Sequence, residues 1–197
     1  MDKNRVAAFS DGVLAIVITI MVLELKVPAG DNLASLTSIW PVFVSYVLSF
    51  IYIGIYWNNH HHLLHAARGV SGAMLWANLH LLFWLSLVPA ATAWMGETHF
   101  ASVPTALYGV PLLMAALAWL ILQRTIIAAD GRASVLAEAL GKDWKGKFSF
   151  VLYIAAIVVA MLWPWVAWGI YAVVAMLWIV PDRRIERALV SHARSEG

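Results

Sequence analysis

The fold is decided by residues 148–180, which read FSFVLYIAAIVVAMLWPWVAWGIYAVVAMLWIV and carry no charged side chain. As one helix these 33 residues would measure about 50 Å, whereas the hydrocarbon core of a bilayer is about 30 Å thick. Trp163, Pro164 and Trp165 lie near the midpoint, and proline interrupts a helix while tryptophan favours the membrane interface. We therefore expect two short membrane spans, 148–163 and 165–180, joined by a tight hairpin.

Four more apolar runs precede this pair. A helical span needs about 20 mostly apolar residues, and runs of this kind cover residues 6–27, 39–57, 73–95 and 103–122. With the hairpin they make six spans. The predicted fold class is all-α: a polytopic membrane protein whose residues 1–197 form a single domain of six transmembrane helices.

The composition agrees with a membrane location. Hydrophobic residues make up 62% of the 197 residues, charged residues make up 12%, and 11 residues are Trp. A soluble domain has about twice that charged fraction. The net charge of +2 indicates no nucleic-acid partner, and the absence of cysteine excludes disulfides, thiol catalysis and thiolate metal sites.

The basic residues predict the orientation. With the N-terminus inside, only Lys26 of the 13 Lys and Arg residues lies in an outer segment, which leaves 12 inside. Such a bias is typical of cytoplasmic loops. If residues 148–180 were a single span, the arginines that follow them would lie outside. We expect both termini to be cytoplasmic, in a multi-pass protein of the cell (inner or plasma) membrane.

The first span carries polar residues that are costly in a lipid-facing helix. Arg5, Ser10 and Asp11 lie near its inner end and Glu24 lies near its outer end. Charged groups within a span commonly mark function. Arg5 and Asp11 are separated by about 240° around a helix, so each needs a partner from another helix or another subunit. The alternative is that Arg5 extends to the inner interface and Asp11 forms a local cap.

A second polar cluster lies at the inner end of span two, where residues 57–62 read WNNHHH and His65 follows. Asn78 and His80 lie early in span three, near the same membrane face. Buried polar groups need hydrogen-bond partners, so these residues and those of span one are mutual candidates. The alternative for the later histidines of the cluster is an exposed helix end.

The histidines also suggest a metal enzyme as an alternative. His61 and His65 can place two imidazoles on one helix face, as in zinc or iron sites. Membrane di-iron enzymes resemble this arrangement, but they use several histidine boxes, and the remaining histidines of this chain are dispersed. We expect neither a metal site nor an enzyme.

Residues 5–11 read RVAAFSD, an Arg-x-x-x-Phe-Ser-Asp motif at the inner end of the first span. The motif resembles the signature of the lysosomal potassium channel family, transmembrane protein 175, and particularly its short six-span bacterial members. Further similarities to the family pattern are Trp57-x-x-His60, Asn78-Leu79 and Pro89. The resemblance covers about residues 5–95 by motif, and beyond them it depends on the number and length of the spans.

The resemblance implies a homotetramer in which the first helix of each subunit lines a central pore that passes potassium in preference to sodium. It implies permeant potassium ions and no cofactor. An apolar constriction would fall on Ile16, Ile20 and Leu23, and Thr19 would contribute to selectivity. The motif residues, including a hydrogen-bond network that holds the pore helices together, would be Arg5, Phe9, Ser10, Asp11, Trp57, His60 and Asn78.

Helical geometry is compatible with such a constriction. Ile20 and Leu23 lie about 40° and −20° from Ile16, so the three residues form one stripe about 10 Å tall. Because nearly every face of this span is apolar, the stripe alone does not identify a pore. No Thr-Val-Gly-Tyr-Gly filter occurs in the chain, and Glu24 at the outer mouth would raise the local cation concentration.

A secondary or proton-coupled transporter is the alternative function, with Asp11 and His60 as its proton relay. Many transporters of this kind contain inverted repeats with helices broken at matching positions. Pro89 interrupts span three, but no corresponding break occurs in a second half of the chain. The sequence therefore favours the channel.

Overall fold

The computed structural model describes residues 2–28, 30–131 and 144–179. The regular secondary structure within these ranges is entirely helical, which confirms the all-α fold class. The helices in chain order are α1 (Lys3–Leu23), α2 (Leu33–Leu36), α3 (Trp40–Ala66), α4 (Gly72–Ser86), α5 (Val88–Glu97), α6 (Ser102–Asp130), α7 (Trp144–Ala160) and α8 (Pro164–Ile179). The C-terminal segment that is expected to be cytoplasmic lies outside the described residues.

Four helical stretches have the length and hydropathy of membrane spans, namely Lys3–Leu23, Trp40–Ala66, Gly72–Glu97 and Ser102–Asp130. α7 and α8 are shorter, with 17 and 16 residues. Between them the chain turns at residues 161–163, and the backbone N–H of Trp163 donates to the Val159 carbonyl at 2.8 Å. The total of six spans stays a prediction.

Several helix boundaries differ from the limits of the apolar runs. α1 ends at Leu23 although its apolar run continues to residue 27, and α7 begins at Trp144, four residues before its apolar run. α3 continues to Ala66 and α6 continues to Asp130, beyond the apolar runs that end near residues 57 and 122. Polar residues end an apolar run without ending a helix, because the helical backbone satisfies its own hydrogen bonds in either environment. The third stretch is divided at Leu87 into α4 and α5, and Pro89 lies in the first turn of α5, where its missing N–H costs no hydrogen bond.

The middle of the bundle is held together by buried tyrosines with paired hydroxyls. Tyr52 of α3 donates to the Tyr171 carbonyl of α8 at 2.6 Å, and the Tyr171 hydroxyl donates to the Thr105 carbonyl of α6 at 3.2 Å. The Tyr108 hydroxyl is 3.0 Å from the Ser49 hydroxyl. Because an unpaired buried hydroxyl is costly, these contacts fix α3, α6 and α8 in one arrangement.

Candidate functional site on the first helix

α1 packs against α3, α4 and α5 along a single stripe. The buried residues of this stripe recur every three or four positions and are Val6, Ser10, Leu14, Val17 and Met21. This spacing keeps them on one face of an α-helix. Asp2 caps the start of the helix, since its carboxylate accepts from the Asn4 backbone N–H at 3.1 Å.

A second face of α1, about 120° around the helix from the buried stripe, is uncovered within the subunit and carries all the residues expected to form the constriction. The side chains of Ile16, Ile20 and Leu23 are 61%, 44% and 76% exposed. Thr19 is exposed beside them, and its hydroxyl donates to the Ala15 carbonyl at 2.7 Å. The Thr19 oxygen therefore presents only lone pairs to its surroundings. Phe9 is exposed on the same side of the helix, 54% of its surface being accessible.

The buried face of α1 contains a polar group whose hydrogen bonds are completed by two other helices. The Ser10 hydroxyl donates to the Val6 carbonyl at 2.8 Å and accepts from Asn78 Nδ2 of α4 at 2.9 Å. Asn78 Oδ1 is 2.7 Å from His60 Nε2 of α3. Since an amide oxygen only accepts, His60 Nε2 carries the proton in this bond. Ser10, Asn78 and His60 are all buried, so one chain of hydrogen bonds joins α1, α4 and α3.

Asp11 has its partner on another helix. One carboxylate oxygen of Asp11 accepts from the indole Nε1 of Trp57 of α3 at 2.9 Å. Both residues are exposed at the surface of the subunit. Asp11 and His60, the pair of the transporter alternative, are not directly hydrogen-bonded to each other among the described residues.

Arg5 is not brought into this network. Its side chain is exposed, and within residues 2–28, 30–131 and 144–179 it forms neither a hydrogen bond nor an ion pair. Lys3, two residues earlier, instead ties this end of the helix to the α3–α4 loop by donating to the Ala67 carbonyl at 2.6 Å. Arg5 lies 11 residues before Ile16, about 20° away around the helix, and therefore belongs to the uncovered face.

The segment that follows α1 is held by an ion pair that the sequence did not indicate. Lys26 lies two residues beyond Glu24 and pairs with Glu97 at the end of α5. The hydrogen bond and the charge of Glu97 raise the pKa of the Lys26 ammonium, and Glu24 adds to this effect. Glu24 itself is exposed and lines, with Lys26, Glu97 and His99, a cavity of about 350 Å³. Lys26 and Glu97 are 71 residues apart in the chain, so no local sequence pattern indicates this ion pair.

The later histidines of the cluster stay outside the buried network. His61 and His65 are exposed and His62 is half-buried. His80 Nε2 accepts from the Trp84 indole one turn later at 2.9 Å. Within the part of the chain that the structure describes, no three His, Asp or Glu side chains come together as ligands for a metal ion.

The fold and the site define a helical membrane protein whose N-terminal helix is held by polar bonds on one face and uncovered on another. Residues 5–89 match the family model of the endosomal/lysosomal potassium channel TMEM175. A potassium channel of Chryseobacterium sp. (strain P1-3) is 54% identical over 189 residues, which cover 96% of this chain and 98% of that relative. The chain therefore belongs to the TMEM175 family.

Other relatives agree with this membership. The crystal structure of a lysosomal potassium-selective channel TMEM175 homologue from Chamaesiphon minutus superposes with a TM-score of 0.80 at 28% identity, covering 91% of this chain and 97% of that chain. The human endosomal/lysosomal proton channel TMEM175 is 35% identical over 103 residues, 46% of this chain and 20% of that protein. The family consists of ion channels and not of enzymes, as expected from the sequence.

Replacing Asn78 by Leu is expected to lower the free energy of unfolding by about 1–3 kcal/mol, because Ser10 and His60 lose a buried partner while the branched shape of the side chain is kept. The matched control is Asn58→Leu, since Asn58 is half-buried on α3 and its side chain makes no hydrogen bond within the described residues. Denaturant or thermal unfolding in detergent measures both variants. Equal destabilisation by the two substitutions would contradict the anchoring role of Asn78.

Proposed function

We propose that this chain is a potassium-permeable channel, selective for potassium over sodium, in which four copies arrange α1 around a central pore. The proposal is supported by the function of two relatives, a potassium channel from Chryseobacterium and a potassium-selective channel from Chamaesiphon minutus. It also depends on the surface of α1, which has three distinct sides.

The three sides of α1 are the observation that carries the proposal. Measured from Ile16, the buried stripe is centred near about +120°, and Asp11 lies near about −140°. The stripe of Ile16, Ile20 and Leu23 lies between them near 0°, and all three are exposed. One side thus faces its own subunit, a second carries an exposed carboxylate, and the third carries exposed branched side chains.

Asp11 supports the placement of a neighbouring subunit against the second side. Its carboxylate lies eight residues into α1, about 12 Å from the start of the helix, and is exposed despite its bond to Trp57. A charged group at that depth is costly in contact with lipid. A neighbouring subunit that covers Asp11 leaves the stripe of Ile16 facing the axis of the assembly.

The apolar stripe acts as the gate. Rings of Ile16, Ile20 and Leu23 narrow the pore over about 10 Å, and a narrow apolar throat excludes a continuous column of water. Conduction requires α1 to rotate or splay until the throat is wide enough to hold a hydrated cation. Glu24 at the outer mouth raises the local concentration of cations that reach it.

Thr19 is placed to contribute to selectivity. Its hydroxyl hydrogen is donated to the Ala15 carbonyl, so the oxygen offers lone pairs alone on the uncovered side of α1. An oxygen of this kind replaces a water molecule around a partly dehydrated cation. The size and flexibility of a ring of four such oxygens then favour potassium, whose hydration shell is lost more easily than that of sodium.

Ile16→Asn is expected to hydrate the throat and to raise the resting potassium leak of liposomes that contain the protein. The matched control is Ile154→Asn. Ile154 is also an exposed isoleucine, with 44% of its surface accessible, but it lies on α7. Fluorescent or isotopic potassium flux measures both variants. An unchanged leak in Ile16→Asn would contradict the assignment of the gate.

Asp11→Ala is expected to reduce the fraction of assembled oligomer more than it changes potassium-to-sodium selectivity, because it removes the group that joins neighbouring subunits. Asp31→Ala, in the exposed segment before α2, is the control for loss of one acidic residue. Size-exclusion chromatography with light scattering gives the oligomer fraction. A normal elution profile for Asp11→Ala would count against this role.

A further inference from the structure

Two exposed histidines lie one turn apart near the end of α3. His61 and His65 occupy positions i and i+4 of the helix, where side chains lie on the same face. Their ring centroids are 4.3 Å apart. Both rings are accessible from outside the subunit, so a small ion in solution can reach them.

The hydrogen bond of His65 leaves its other ring nitrogen available as a ligand. His65 Nδ1 lies 3.2 Å from the His61 carbonyl oxygen. A carbonyl only accepts, so Nδ1 carries the proton and Nε2 keeps a free lone pair. Metal-binding histidines commonly use their other N–H in this way, which fixes the tautomer and the orientation of the ring.

The other histidines near this membrane face are already engaged or point elsewhere. His60 Nε2 is bonded to Asn78, and His80 Nε2 accepts from the Trp84 indole. His62 is next to His61 in sequence, so its side chain leaves the helix about 100° away from that of His61. Its ring centroid is 5.7 Å from that of His61, and only His65 shares the face of His61.

We propose that His61 and His65 form a two-imidazole site for a divalent transition metal ion at the inner end of α3. Imidazole ligands suit copper, nickel and zinc, whereas magnesium and calcium prefer oxygen. Affinity in a site of this kind is highest for Cu²⁺. Water molecules complete the coordination, because the described residues contain no third His, Asp or Glu ligand at this place.

Metal binding at this site acts on the hydrogen-bond chain of Ser10, Asn78 and His60, which attaches α1 to α4 and α3. Bridging positions 61 and 65 closes the last full turn of α3, and the residue before the site is His60, which holds Asn78 and through it Ser10. An occupied site therefore stiffens the helix end to which α1 is attached. Binding itself does not depend on ion conduction, so its test and that of the channel function are separate.

The experiment is a titration of the purified full chain, freed of any polyhistidine tag, with Cu²⁺ followed by electron paramagnetic resonance. We expect one saturable ion per chain with the splitting pattern of two imidazole nitrogens. His65→Gln and His61→Gln each lower the affinity at least about tenfold, since loss of a ligand costs no less than loss of its supporting contact. His62→Gln is the matched control and leaves the affinity unchanged.

Competition with other metal ions tests the preference of the site. Ni²⁺ and Zn²⁺ are expected to displace Cu²⁺ and reduce its resonance signal, whereas a hundredfold excess of Mg²⁺ is not. His61 and His65 are exposed, and their two single variants give independent measurements if either fails to fold by size-exclusion chromatography. The proposal is overturned by absence of a saturable two-nitrogen signal, by unchanged affinity in His61→Gln and His65→Gln, or by an equal loss in His62→Gln.

Discussion

The hydrogen-bond chain from Ser10 through Asn78 to His60 is the constraint on which the arrangement of α1 depends. Within a membrane a polar side chain finds no water to replace a missing partner. Ser10 on α1 is therefore satisfied only when Asn78 of α4 is beside it, and Asn78 only when His60 of α3 is in place. The apolar residues of the same stripe supply contact area, but they do not specify one rotation of the helix, because most of α1 is apolar.

Fixing the rotation of α1 determines the direction of every other residue on it. With Ser10 turned inward, Ile16, Ile20 and Leu23 are turned outward, and Asp11 lies at the flank, where it accepts a hydrogen bond from Trp57. A rotation of α1 by one residue position, about 100°, would bury a different set of side chains and expose Ser10. In the pore that we propose, three buried polar groups therefore determine which face of α1 lines the pore, although they do not contact the permeant ion.

The two ends of α1 are attached differently. At the N-terminal end, Ser10 accepts a buried hydrogen bond from Asn78, and Lys3 donates a part-buried hydrogen bond to the Ala67 carbonyl. At the C-terminal end the ion pair of Lys26 and Glu97 is exposed to solvent, where water screens the two charges and the pair contributes little. The polar attachment at the C-terminal end, nearest the proposed gate, is therefore the weaker of the two.

Much of this organisation was predictable from local properties of the sequence. Apolar length and the residues 5–11 motif indicate helical spans and the family, and the angle between Arg5 and Asp11 indicates that Asp11 finds its partner on another helix. The remainder depends on tertiary contacts without a local signal. Lys26 and Glu97 are far apart in the chain, the tyrosine contacts require three helices, and the extension of α3 to Ala66 follows from backbone bonding that hydropathy does not report.

The central claim, a potassium-selective pore, is tested most directly by bi-ionic current from the purified protein in liposomes with potassium inside and sodium outside. We expect a sustained current that persists without a proton gradient and has a reversal potential that is negative on the potassium-containing side, as for a pore more permeable to potassium than to sodium. Slow flux that stops when the proton gradient is removed would contradict it and would identify a carrier.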